Sequence, residues 1–164
     1  MFKKLFTILI ALLMLCSCGA EKSEPARTGR PIENFHEENE YEEKWGLVLS
    51  LKNIDQKGLT VVFNQSGGNA TGELGTGDYF SLEINDNGEW KKVPMIEHPE
   101  GVAVCFNDML LSVFPESETE VETNWEFYYG ELPCGIYRIE KEVMDFRGTG
   151  DYEQVKFYAE FVLE

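Results

Sequence analysis

Few side chains in this chain have chemistry beyond packing: four cysteines, two histidines, and 30 Asp and Glu against 14 Lys and Arg over 164 residues. An enzyme needs a nucleophile with a base, a metal, or a tuned acid–base pair. No G-x-S-x-G, H-E-x-x-H or C-x-x-C occurs in the folded part. His36 lies among Glu33, Glu37, Glu38, Glu40, Glu42 and Glu43, residue types a metal site would use; such a run reads better as a solvated, self-repelling spacer. His98 stands alone in a Pro-containing loop. Asp86-Asn87-Gly88 has a faint look of a calcium loop but lacks the spaced acidic ligands and terminal Glu. No spacing rule reveals a catalytic carboxylate pair. The expectation is a protein that is not an enzyme, with no cofactor and no metal.

The cysteines carry more information. Met-Phe-Lys-Lys precedes an apolar or small run over residues 5–15, the pattern of an export signal. Eleven residues fall short of the about 20 that cross a bilayer as a helix. Next comes Leu15-Cys16-Ser17-Cys18-Gly19, which resembles the bacterial lipobox. Cys18 is the expected lipidation site. Cys16 is the weaker candidate because Leu15 is too large for the small-residue slot that Ser17 fills. The organisation expected is a lipoprotein signal peptide at 1–17, a lipidated Cys with an acidic flexible linker at 18–44, and a folded domain at 45–164. The chain would be exported and anchored by its N-terminal lipid to the outer face of the cell membrane.

After cleavage, 12 basic residues face 30 acidic ones, a net charge of −18. That sign repels nucleic acid and anionic headgroups and leaves cationic partners open. Cys105 and Cys134 remain, 29 residues apart, in a compartment where a disulfide is permitted. A bridge between them would stabilise by roughly 3–4 kcal/mol in the chain-entropy treatment. Two buried free thiols are the alternative.

The elements that would position these residues are strands. Leu47, Leu49 and Leu51 alternate with polar or smaller neighbours, as do Leu59, Val61 and Phe63, then Phe80, Leu82 and Ile84. Asp86-Asn87-Gly88 reads as a three-residue hairpin loop that sets Ile84 opposite Trp90. Short strands are expected over 103–106 and 110–114. A further strand is expected to end near Tyr129, with Val121, Thr123, Trp125 and Phe127 on one face. Tyr137, Ile139 and Val143 share a face interrupted by Lys141, which near a strand end could snorkel or pair with a carboxylate. Phe157, Ala159, Phe161 and Leu163 give the cleanest alternation. Seven to nine strands without a helical period predict an all-β antiparallel sandwich.

Leu132-Pro133-Cys134-Gly135-Ile136-Tyr137 has the form of a tyrosine corner, with Gly135 permitting the turn and Tyr137 returning its hydroxyl to the backbone. Together with Gly77-Asp78-Tyr79, Leu82-Glu83 and Asn87-Gly88-Glu89-Trp90, this segment resembles the bacterial immunoglobulin-like domain of small Gram-positive lipoproteins. The resemblance covers about residues 45–163 and implies an Ig-like Greek-key sandwich with no catalytic motif. The function it implies is a membrane-anchored, non-catalytic module that binds an envelope protein or acts as a spacer. The alternative is a capture or sensor lipoprotein that holds cations or cationic peptides for a partner membrane protein. Tyr128, Tyr129, Tyr152 and Tyr158 are candidate contact residues.

Overall fold

The computed structural model describes residues 28–33, 39–107 and 109–164. The segment 1–17, Cys16, Cys18, Phe35, His36, Glu37 and Glu38 lie outside the described residues. Runs of alternating apolar and polar side chains, bounded by Gly, Asn and Asp, form the strands. In chain order the elements are β1 Gly29–Pro31, α1 Glu40–Trp45, β2 Leu47–Lys52, β3 Gly58–Gln65, β4 Glu73–Asp86, β5 Glu89–Lys92, β6 Leu111–Ser112, β7 Ser117–Asn124, α2 Glu126–Tyr129, β8 Gly135–Gly148 and β9 Asp151–Leu163. They build two antiparallel sheets, one ordered β1-β9-β8-β4-β5 with β6 also on β4, the other β2-β3-β7.

The sheets share one core, which is what makes a sandwich of them. Leu47, Leu51, Val61, Phe63 and Val121 from the small sheet cluster with Leu82, Tyr137, Ile139, Val143, Phe157 and Phe161 from the large one. Burying an aliphatic or Phe side chain of this size stabilises by about 1.5–3 kcal/mol. The long β8–β9 hairpin holds register from Gly135↔Leu163 to Phe146↔Tyr152 and forms the floor of the large sheet. The all-β antiparallel sandwich expected from the periodicity, and the Ig-like fold implied by the resemblance, are what the chain adopts.

Several boundaries differ from expectation, each for a local reason. Parts of the stretch expected as linker, 18–44, have regular structure. Gly29 to Pro31 add an edge strand to β9, and Gly29 leaves no room for a Cβ against Ile54. Asn39 caps α1 by accepting from the Tyr41 N–H, and Gly46 ends it in the left-handed conformation at φ 61°. Trp45, the first residue of the expected folded domain, closes this helix with its indole fully buried. The β4–β5 hairpin turns on two residues, so Trp90 lies opposite Asn85 and Lys91 opposite Ile84. Asn87 and Gly88 both have positive φ, the turn geometry that matches the twist of paired strands. The strand expected to reach Tyr129 stops at Asn124, whose side-chain oxygen accepts from the Glu126 N–H at 2.9 Å and starts a helical turn. Residues 103–106 form no strand, and only Leu111 and Ser112 pair within 110–114.

Candidate interaction surface

Tyr79 and Phe80 of β4, Phe106 of the β5–β6 connection and Tyr128 of α2 form an aromatic cluster. Phe106 stacks on Tyr128 with centroids 4.4 Å apart and meets Phe80 edge-on at 5.5 Å. Edge-to-face and stacked pairs of this kind add about 0.5–1.5 kcal/mol beyond area burial. The cluster pins the connection, residues 93–107 and 109–110, against β4 and α2. Its backbone is fastened as well: Ile96 N–H donates to the Tyr128 carbonyl at 2.9 Å, and the Tyr128 hydroxyl donates to the Cys105 carbonyl at 3.2 Å. His98 stacks on Phe127 at 4.4 Å.

While one side of this connection is held, the other faces solvent with apolar side chains. Met95, Ile96, Val102, Val104, Leu110 and Phe127 are exposed, and Met109 keeps 61% of its surface. A cleft of about 600 Å³ runs between it and the large sheet, lined by Tyr79, Phe106, Met109, Leu110, Val143 and Met144. Scattered exposed apolar residues need no explanation, but grouped on one pinned segment they form a candidate contact surface. Nothing local in sequence marks this face, because the segment is ordered by contacts to Phe80, Phe127 and Tyr128, which are distant in sequence.

Lys141 is not near a strand end and pairs with no carboxylate. It lies mid-strand in β8, wholly buried, and donates to the carbonyls of Gly77 at 2.6 Å and Tyr79 at 2.9 Å. These carbonyls belong to an irregularity where the β4–β8 register shifts between Thr76 and Phe80. Burial pulls its pKa down to about 8, against Asp78 and Glu142, which pull it up. No described polar atom beside the ammonium is placed for chemistry on a substrate.

The outward face of the large sheet is a polar ladder. Arg138 pairs with Glu83 at 2.6 Å and lies over the rings of Trp90 and Tyr158. Glu140 accepts from Tyr158 at 2.8 Å and pairs with Lys156 at 2.8 Å. Burial acts to raise the Glu140 pKa, but bonds from Lys156 and Tyr158 outweigh it and hold the carboxyl below its ordinary value. Of the tyrosines expected at a contact surface, Tyr129 is buried, Tyr128 and Tyr158 are half-buried, and Tyr152 is exposed.

The structure places the corner residues together. The Tyr137 hydroxyl donates to the Pro133 carbonyl at 3.0 Å, and Leu132 is buried. Gly135 is not left-handed. It is needed because a Cβ there would meet the Tyr137 ring at 3.0 Å. Cys105 and Cys134 are both free and exposed, neither bridged nor buried. Among the described residues, no three His, Cys, Asp or Glu side chains are grouped to hold a metal, and no helix is long and apolar enough to cross a membrane.

A family model described as a bacterial Ig-like domain matches residues 43–162. Comparison with curated proteins and with solved structures gives no match.

Proposed function

The chain belongs to the bacterial Ig-like domain family, and from that premise we propose that it is a membrane-anchored surface lipoprotein whose non-catalytic module binds another envelope component. Domains of this family are generally non-catalytic and often extracellular or surface-exposed. The observation that carries the reading is the pinned 93–110 segment, which turns Met95, Ile96, Val102, Val104, Met109 and Leu110 outward. Binding energy concentrates in such apolar anchors when a partner desolvates them. Cys18 would hold the module at the membrane, and the acidic surface would keep it clear of anionic headgroups.

The test is co-purification from native membranes with the intact chain and with a Met95→Ser, Ile96→Ser, Met109→Ser variant. Loss of a co-purifying partner from the triple variant supports the reading; an unchanged set of partners rejects it. Cys18→Ala releases the protein from the membrane if the anchor is as proposed.

A second reading, capture of a cationic ligand, draws on Glu118, Glu120 and Glu122, which lie exposed along one face of β7.

A further inference from the structure

Strand β7 is a regular edge of the small sheet. It pairs with β3 over eight residues without a register shift, from Gly58↔Asn124 to Gln65↔Ser117. Among the described residues no strand pairs with its other side. Alternate backbone N–H and C=O groups therefore face outward along about 27 Å, at the rise of an extended strand. The other edge strands are shorter. β1 has three residues and β5 four, and Gly29 crosses the end of β2 with its N–H on the Ile54 carbonyl at 2.9 Å.

Natural proteins blunt long edges with proline, a bulge or charged side chains. β7 has neither proline nor bulge, only charge: Val121 and Thr123 point inward and are buried, while Glu118, Glu120 and Glu122 point outward and are exposed. Glu120 is paired with Lys52 of the same sheet. At its start, Phe114 keeps 63% of its surface beside the open edge and donates its N–H to Thr119 Oγ1 at 3.3 Å.

The charge pattern selects what can add. A second copy pairing antiparallel on β7 keeps outward faces together, so glutamate meets glutamate in every allowed register. Like charges directly opposite are destabilising, and the net charge of −16 adds to the repulsion. A strand with lysine or arginine at alternate positions converts the same row into opposite-charge pairs. Main-chain hydrogen bonds then supply affinity and the alternate side chains supply specificity.

We propose that the free edge of β7 receives an extended, lysine- or arginine-rich segment of a partner protein as a fourth strand of the β2-β3-β7 sheet. The inference rests on the cationic-ligand reading and sharpens it from charge attraction to strand addition.

The experiment uses the full chain and a fluorescent ten-residue peptide alternating lysine with valine and threonine. Controls are the same peptide N-methylated at alternate backbone amides, its glutamate counterpart, and calcium. Expected are binding of the lysine peptide, slowed hydrogen exchange at alternate β7 amides, and loss of binding on N-methylation or exchange of lysine for glutamate. A Glu118→Lys, Glu120→Lys, Glu122→Lys variant with unchanged circular dichroism should bind roughly tenfold more weakly. Equal binding of the N-methylated peptide overturns strand addition while leaving capture by charge. Binding of calcium alone also overturns it, and failure of every cationic probe removes both.

Discussion

The ammonium nitrogen of Lys141 lies 2.6 Å from the carbonyl oxygen of Gly77. A charged side chain on the inner face of β8 thus closes an irregularity in the neighbouring strand β4, and a second bond reaches the Tyr79 carbonyl. A buried carbonyl left unpaired costs about 1–3 kcal/mol, which the lysine offsets at the expense of burying a charge.

The sign of the pH dependence follows. The folded pKa of about 8 lies below the ordinary 10.5, so between these values the unfolded chain binds the extra proton and stability rises with pH. The neutral amine retains two N–H donors, so both carbonyls stay paired. Urea unfolding should show the wild type gaining stability relative to Lys141→Met from pH 8 to 10.5, by at most about 3 kcal/mol. Parallel curves would refute the assignment.

At the corner, Tyr137→Phe removes the bond to Pro133 and should cost about 1 kcal/mol. Gly135→Ala forces its Cβ toward a fully packed ring at 3.0 Å and should cost about 1–3 kcal/mol. Denaturant midpoints measure both. A neutral Gly135→Ala would mean that the ring can move.

Asp145 is buried and accepts from the Thr71 N–H and hydroxyl at 3.0 and 2.8 Å, and from the Gly72 N–H at 2.5 Å. Burial acts to raise its pKa, yet these donors and Arg147 hold it below the ordinary carboxylate value. A depressed folded pKa contributes stability that is present above pH 3.8 and lost as the pH falls through the folded value. Asp145→Asn should cost about 2–3 kcal/mol at neutral pH and flatten the acid limb of the stability curve. An unchanged acid limb would exclude Asp145 as a contributor.

Cys105 and Cys134 are free and exposed, so both should alkylate in the native chain before any reductant is added, as read by peptide mass spectrometry. Labelling that appears only after reduction would show a bridge.

The sandwich was legible because Leu47, Leu49 and Leu51 on one strand, and Phe157, Phe161 and Leu163 on another, keep strand period through their length. The corner was legible because Leu132, Gly135 and Tyr137 are local in sequence. Lys141 was not, since its acceptors lie on β4 more than 60 positions away and exist only where a register shift turns the carbonyls inward. Nor was the turn at Glu126, where the side chain of Asn124 wins over the continued alternation of Trp125 and Phe127. The apolar face over residues 93–110 was hidden for a related reason: its order comes from Phe106, Tyr128 and Phe127, not from any local period.

On the proposed function, residues 93–110 contact another envelope component. Photo-crosslinking in native cells tests it most directly, with a photoreactive amino acid placed singly at Met109, at Ile96, or at Ser50 on the outer face of the small sheet. The account predicts a discrete adduct from Met109 and Ile96 that is absent from Ser50. Adducts that are identical at all three positions, or absent from Met109 and Ile96, would contradict it.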